Sequence, residues 1–213
     1  MADAGAEAGV IEEAVKMIGW VSCSANGNSC PEEANQEPEW LWPRWADRLE
    51  AVGSVGIVRC YQYNSEKGDP LSSPATPRPA TEDEVFALAM PERFAKYQAS
   101  SGGSVSMMDH YYDKLLQVAR PPPELVRNSY LEMVAADRVG PLVSICLAYG
   151  QTGEVPISLI QELEAAVAAE GAVKNAKGKR QSESDELGAG EAEEVTARVA
   201  SKRVRAEISA QAS

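Results

Sequence analysis

The spacing of the apolar residues is the feature that most restricts the fold of this chain. Through residues 8–170 they recur every three or four positions, which is the period of one face of an α-helix. The alternation that is typical of half-buried β-strands is scarce, and prolines and glycines divide the helical pattern into segments. Hydrophobic residues make up 44% of the 213, which is enough to build a core. The sequence therefore predicts an all-α fold.

The breaks in the pattern set the predicted elements. Gly53 and Gly56 weaken the predicted helix over 40–63, and we expect them to allow another helix to approach closely. Thr81 is the predicted N-cap of the helix over 81–98, with Glu84 completing a capping box. The predicted helices span residues 8–22, 40–63, 81–98 with an interruption before Pro91, 104–119, 121–150 with a break at Gly140-Pro141, and 157–170. The predicted loops are 23–39, a flexible proline-rich surface excursion at 64–80, and 99–103.

The composition changes after residue 170. Aromatic residues are absent from 171–213, where Ala, Gly, Lys, Glu and Ser dominate. Such a segment buries too little apolar surface to offset the entropy of ordering it, so we expect a disordered or weakly helical tail. The basic stretch Lys174–Arg180 is either a nuclear-localisation signal or a solvated linker. The predicted organisation is a helical domain at 1–170 and a charged tail at 171–213.

Charge and hydropathy restrict location and partners. The net charge is −12, and an acidic surface repels phosphate backbones, so nucleic-acid binding is disfavoured. No run of about 18 apolar residues is present, so no membrane span is expected. The acidic N-terminal sequence lacks the features of a signal peptide. We expect an intracellular, cytoplasmic protein, with a nuclear location as the alternative.

The cysteine and histidine content limits the chemistry. Cys23, Cys30, Cys60 and Cys146 form no CxxC pair, and His110 is the single histidine. A histidine-rich metal centre within one chain is therefore excluded, and any catalytic triad has to use His110. The cysteines are read as reduced thiols, with an oxidised loop between Cys23 and Cys30 as the alternative.

Two segments of the sequence carry recognisable motifs. The first is WADRLEAVGSVGIVRC at residues 45–60, and the second is SMMDHYYDKLL at residues 106–116. These segments resemble HD-domain hydrolases, a superfamily of small all-helical metal-dependent phosphohydrolases, and their order and the proline-rich spacing between them also fit that family. The resemblance covers roughly residues 8–150 and implies an HD-domain-like helical bundle.

The resemblance also implies a site. HD hydrolases hold a divalent cation, Mn²⁺ or Mg²⁺, which activates a water for attack on phosphorus. Asp47 matches the family's later metal-ligating aspartate, and Arg48 beside it would meet phosphate or pair with a carboxylate. The alternative for Asp47 is an ion pair with Arg48 or Arg59. Glu50, one turn further on, would be a second metal ligand.

His110 is a candidate catalytic residue, because it lies within the second matching segment. It is three residues from Asp113, a spacing that permits a hydrogen bond on a helix. The alternative is a role in helix packing or in a surface pair. The resemblance assigns no established catalytic role to this helix.

The chain departs from the family pattern at its N-terminal side. The family's earlier histidine and its His-Asp pair should precede Asp47, and none of the first 46 residues is a histidine. Trp45 and Glu50 replace two motif aspartates. We therefore expect an N-terminally incomplete HD domain that is inactive alone, with the missing ligands supplied by an upstream portion or another chain. Its substrate would be a phosphorylated small molecule, with nucleotides as one candidate.

The alternative function is a non-catalytic interaction module derived from such a hydrolase. Trp40, Trp42 and Trp45 would then form the surface that binds a protein partner or a second copy of the chain. These tryptophans are otherwise expected to anchor the helix entry to the core.

Overall fold

A computed structural model describes residue 5 and residues 7–172 of the chain. These residues form helices and connecting loops without β-strands, which confirms the all-α prediction. The predicted tail, including the basic stretch Lys174–Arg180, lies outside the described residues except for 171–172. The chain divides into two units after Ala165, and every contact given below lies within the first. No helix in the described part is long and apolar enough to cross a membrane.

Twelve labelled helices and one π-helical turn are used below. Two 3₁₀ turns, Glu32–Ala34 and Pro38–Leu41, lie between α2 and α3. The helices are α1 (Ala8–Val21), α2 (Cys23–Asn26), α3 (Trp42–Val52), α4 (Ser54–Lys67), α5 (Glu82–Ala87), α6 (Pro91–Ala99), α7 (Met107–His110), α8 (Leu116–Ala119), α9 (Pro123–Val126), α10 (Ser129–Arg138), α11 (Gly140–Thr152) and α12 (157–172). The π-helical turn Tyr111–Leu115 joins α7 to α8, so that 107–119 is one continuous helical segment.

Local signals placed several helix ends correctly. The Thr81 hydroxyl accepts a hydrogen bond from the Glu84 amide at 3.3 Å, and the Glu84 carboxylate accepts one from the Ala80 amide. The interruption before Pro91 is present, since α5 ends at Ala87 and α6 begins at Pro91. A proline at the first helical position loses no hydrogen bond, so it suits a helix start.

The predicted helix over 40–63 is wrong as a single element. It is broken at Gly53, which adopts an extended conformation between α3 and α4. The chain turns back so tightly that a Cβ on Gly56 would lie 2.1 Å from the Ala51 carbonyl oxygen. The glycines therefore permit a sharp junction between two helices rather than contact along one helix.

The continuous segment 107–119 lies at the centre of the main core. Met107, Met108, Tyr111 and Tyr112 are all fully buried there. They pack with residues of α4, α5, α11 and α12, namely Ile57, Val85, Leu142, Ile145, Cys146, Tyr149 and Ile160. A second cluster, separate from the first, contains Ala34, Leu41, Trp45 and Val126.

The loop between α4 and α5 is packed onto this central segment. Thr76 is only 4% exposed, and the Tyr112 hydroxyl donates to the Pro77 carbonyl at 3.3 Å. The Pro70 and Leu71 carbonyls accept hydrogen bonds from the Met107 and Met108 amides, each at 3.0 Å. The loop predicted as a free surface excursion therefore caps the start of α7.

Replacing Gly56 with alanine tests the junction between α3 and α4. We expect Gly56→Ala to lower the free energy of unfolding by about 1–3 kcal/mol, because the new methyl group would overlap the Ala51 carbonyl. Gly19→Ala on α1 is the matched control, since a Cβ there meets nothing within 4 Å. That control should gain up to about 1 kcal/mol from helix propensity. Urea unfolding followed by circular dichroism measures both, and equal effects would contradict this geometry.

Candidate functional site

A cavity of about 740 Å³ lies between α3, α4, α6 and the π-helical turn. Two of the three predicted site residues, Asp47 and His110, line it. Its other polar and aromatic lining side chains are Glu50, Arg59, Cys60, Tyr63, Asn64, Lys67, Asp69, Tyr97, Ser104, Ser106 and Lys114. The two family-like segments therefore meet at one place in the fold.

The acidic residues in and beside the π-helical turn lie on one face of the helical segment, and its lysine and histidine lie on another. Asp109 and Asp113 point towards Arg93 of α6, whose guanidinium donates to Asp109 at 3.0 Å and to Asp113 at 2.7 Å. His110 and Lys114, also four residues apart, line the cavity. Residues spaced by four share a face of a helix, so each pair acts together. We call the group of Arg93, Asp109 and Asp113 the Arg93 clamp.

Hydroxyl groups complete the Arg93 clamp. Thr76 and Ser106 donate to the second oxygen of Asp109 at 2.8 and 2.7 Å. Ser104 donates to the second oxygen of Asp113 at 2.8 Å. Buried or half-buried carboxylates need such hydrogen-bond partners to offset the loss of water. Both carboxylates are therefore held by Arg93 and these hydroxyls, and neither carboxylate lines the cavity.

His110 is held as a neutral imidazole. Burial, with a smaller contribution from the positive charge of Lys114, lowers the pKa of His110 to about 4. The imidazole meets the Tyr97 ring edge-on, with the ring centroids 5.4 Å apart. The Lys114 ammonium lies 5.6 Å from the centroid of the same ring. At neutral pH His110 thus offers one donor and one acceptor without a charge. The hydrogen bond to Asp113 that the spacing permits is not formed, and Asp113 is bound by Arg93 and Ser104 instead.

The residues that resemble metal ligands do not form a metal centre in the described part of the chain. Asp47 and Glu50 both line the cavity, and Glu50 is paired with Arg138 at 3.2 Å. Within residues 7–172 no three His, Cys, Asp or Glu side chains are grouped to hold an ion. Mg²⁺ and Mn²⁺ bind through about six ligands, several of them carboxylate oxygens or waters. The described residues therefore do not fit the divalent cation that the resemblance implies.

Arg48 is placed away from the cavity. It is 3% exposed and donates to the Asn28 side chain and to the Gly27 carbonyl. Its guanidinium packs over Trp45, 4.7 Å from the ring centroid. Burial lowers the pKa of Arg48 to about 10. These contacts fix the loop that follows α2, so Arg48 cannot reach a ligand in the cavity without leaving them.

The predicted tryptophan surface is only partly exposed. Trp45 is 2% exposed and lies in the second core cluster, so its prediction as a surface contact is wrong. Trp40 packs on Trp20 with ring centroids 6.1 Å apart. Trp42 is 37% exposed, and its indole N–H donates to the Val126 carbonyl at 3.1 Å. All four cysteines are free thiols, which agrees with the reduced interpretation.

Sequence reasoning did not assign Arg93 or Lys114 to a functional site. Lys114 lies inside the recognised 106–116 segment, four residues after His110, and that spacing was a usable signal. Arg93 lies outside both recognised segments, and nothing local marks it as the partner of two aspartates on a later helix.

Comparison with known proteins finds a similar viral protein. The chain is 43% identical over 118 residues to the uncharacterized protein L803 of Acanthamoeba polyphaga mimivirus. The match covers 55% of this chain and 46% of L803, so the chain spans less than half of that relative. No known family matches the chain, and no solved structure matches it.

The neutral state of His110 predicts a pH dependence of stability. The unfolded His110 has a pKa near 6.5, whereas the folded value is about 4. Between these values the unfolded chain binds a proton that the folded chain does not, so stability falls as the pH drops from 6.5 towards 4. The loss from this group should reach about 3 kcal/mol.

Replacing His110 with glutamine isolates that contribution. We expect the urea-unfolding free energy of the His110→Gln variant to fall less steeply over this pH window than that of the wild type. Carboxylates titrate in both proteins and cancel in the difference. Parallel curves for the two proteins would show that His110 does not titrate as the structure requires.

Proposed function

We propose that this chain is an HD-hydrolase-derived module that binds a phosphorylated small molecule in the cavity. The observation that carries the proposal is the set of cationic side chains lining the cavity: Arg59, Lys67 and Lys114. Guanidinium and ammonium groups bind phosphate oxygens through charge-assisted hydrogen bonds. The aromatic rings of Tyr63 and Tyr97 add apolar lining beside them.

The charge of the cavity lining supports binding of a phosphorylated ligand, although the chain as a whole is acidic. The three cations face three lining carboxylates, Asp47, Glu50 and Asp69. The negative charge of Glu50 is offset by its ion pair with Arg138. In a chain of net charge −12, the cavity is therefore much less negative than the molecule as a whole. A phosphate is repelled there less than elsewhere on the surface.

Binding without turnover is the behaviour we propose for this chain alone. Hydrolysis by the family's mechanism would need a divalent cation, and the described residues do not provide the ligands for one. Asp47 would serve as one ligand if an upstream portion or a second chain supplied the others.

Pyrophosphate is the probe that tests this proposal. We expect saturable binding of inorganic pyrophosphate by isothermal titration calorimetry in EDTA, with no release of orthophosphate. The Arg59→Gln/Lys67→Gln double variant should lose about tenfold or more in affinity, because two charge-assisted contacts are removed. The Lys96→Gln/Arg120→Gln variant has the same charge change away from the cavity and should bind like the wild type. No binding by the wild type, or equal losses in the two variants, would contradict the proposal.

A parallel measurement addresses the metal. We expect no stoichiometric Mn²⁺ binding to the purified chain at micromolar free metal. One bound Mn²⁺ per chain that is lost in Asp47→Ala would overturn the inference that the site is incomplete, and phosphohydrolase activity would then be expected.

Protein interaction is a second candidate function, and one observation favours it. No residue of α1 is buried, and its Val10, Val15 and Ile18 are 57%, 61% and 64% exposed. Apolar side chains grouped on one exposed helix are typical of an interface. Concentration-dependent sedimentation that Ile18→Glu abolishes, and that Val105→Glu on a loop leaves unchanged, would support self-association. A monomeric wild type at all concentrations would exclude it.

A further inference from the structure

Lys114 differs from the other cations of the cavity in the backbone structure of the segment that carries it. It belongs to a π-helical turn, and such turns often occur at functional sites because they widen the helix and re-aim side chains. Its ammonium rests against the Tyr97 ring rather than against a carboxylate. Within the described residues Lys114 takes part in none of the ion pairs. Its positive charge is therefore available to a ligand.

The nearest acidic residues in the sequence would otherwise cancel that charge. Asp113 directly precedes Lys114, and Asp109 lies one turn earlier. Both are bound by Arg93 and by serine hydroxyls, and neither carboxylate lines the cavity. Opposite charges within about 4–6 Å largely offset one another, so Arg93 compensates much of the negative charge behind the turn. The cavity side of the turn consequently presents a lysine and a neutral imidazole.

The glycine-rich loop before α7 leaves room beside these two groups. Ser101 and Gly102 have φ angles of 57° and 85°, so the backbone turns sharply here. A Cβ on Gly102 would lie 3.2 Å from the Tyr97 hydroxyl, so the loop passes close to the ring that supports His110 and Lys114. Gly102 and Gly103 both line the cavity and add no side chain to it.

We propose that the end of α7 and the π-helical turn together form the phosphate subsite of the cavity. In this subsite Lys114 and His110 contact the anion, and Arg93 acts as a positioning residue through Asp109 and Asp113. The subsite rests on the proposed function, because it specifies which end of the same cavity receives the phosphate. Lys114 supplies the charge, and His110 supplies a hydrogen-bond donor or acceptor. Arg93 holds the turn and keeps the two carboxylates from neutralising Lys114.

Pyrophosphate titration of single variants tests the contact residue. We expect Lys114→Gln to weaken binding by about tenfold or more, as loss of a charge-assisted hydrogen bond predicts. Lys114→Arg should retain most of the affinity, since it keeps the charge. Lys96→Gln, an exposed lysine on α6, has the same change in net charge and should have no effect. If the wild type binds and Lys114→Gln binds equally well, the subsite is wrong and the broader function stands. If the wild type does not bind, both proposals fall.

A charge-balanced pair of variants tests the positioning role of Arg93. Arg93→Gln leaves both carboxylates uncompensated, and we expect it to weaken pyrophosphate binding by about tenfold. Arg93→Gln/Asp113→Asn restores the wild-type net charge of the Arg93 clamp and should recover much of that loss. A purely structural role predicts the opposite, with the double variant binding no better than the single one. Unfolding free energies measured alongside ensure that only folded protein is compared, and absence of recovery would overturn the role.

Discussion

Arg93 satisfies two carboxylates that would otherwise be too costly to place against the core. Asp109 is 7% exposed, and a buried carboxylate without a partner costs several kcal/mol. By bonding to both aspartates, Arg93 ties α6 to the segment 107–119. Thr76 extends the same network to the loop between α4 and α5. Three separate parts of the sequence are thus held around one pair of charges, and the cavity wall formed by His110 and Lys114 depends on that arrangement.

Two buried arginines, Arg44 and Arg48, have a different role on α3. Arg44 and Arg48 are almost fully buried, and neither forms an ion pair within the described residues. Arg44 donates to the Trp20 and Ser29 carbonyls at 2.7 Å each. Both guanidiniums also lie over Trp45. Carbonyl acceptors and the ring face replace a counter-charge, so these arginines order the segment between α1 and α3.

The sequence predicts what is decided locally. Helix starts at Thr81 and Pro91 depend on capping and on proline geometry, which act within a few residues, and both were confirmed. The break at Gly53 was missed, because it depends on how closely α4 folds back over Ala51. The helical period of the apolar residues carries no information about how closely two helices approach. The tail beyond residue 172 lies outside the described residues, so its prediction is untested.

In the candidate site too, the sequence predicted some residues and not others. The structure brings Asp47 and His110, one from each family-like segment, to one cavity, and the spacing within either segment did not predict this. The same resemblance assigned Arg48 to chemistry, and burial against the loop after α2 assigns it to structure. The difference arises because Arg48 and Asp47 are neighbours in sequence but point to different sides of α3. Arg93 could not be found from the sequence, since its partners lie 16 and 20 residues away along the chain.

Under the proposed function, the geometry meets the needs of anion binding better than those of metal-dependent hydrolysis. Binding an anion requires cations and a shaped cavity, and these come from α4, the loop before α7 and the π-helical turn. Hydrolysis by the family's route requires several ligands to converge on one ion, and only Asp47 and Glu50 are near the place. Glu50 is already paired with Arg138. The parts that would recognise a phosphate are therefore supported by their own network, whereas the parts that would activate a water are not.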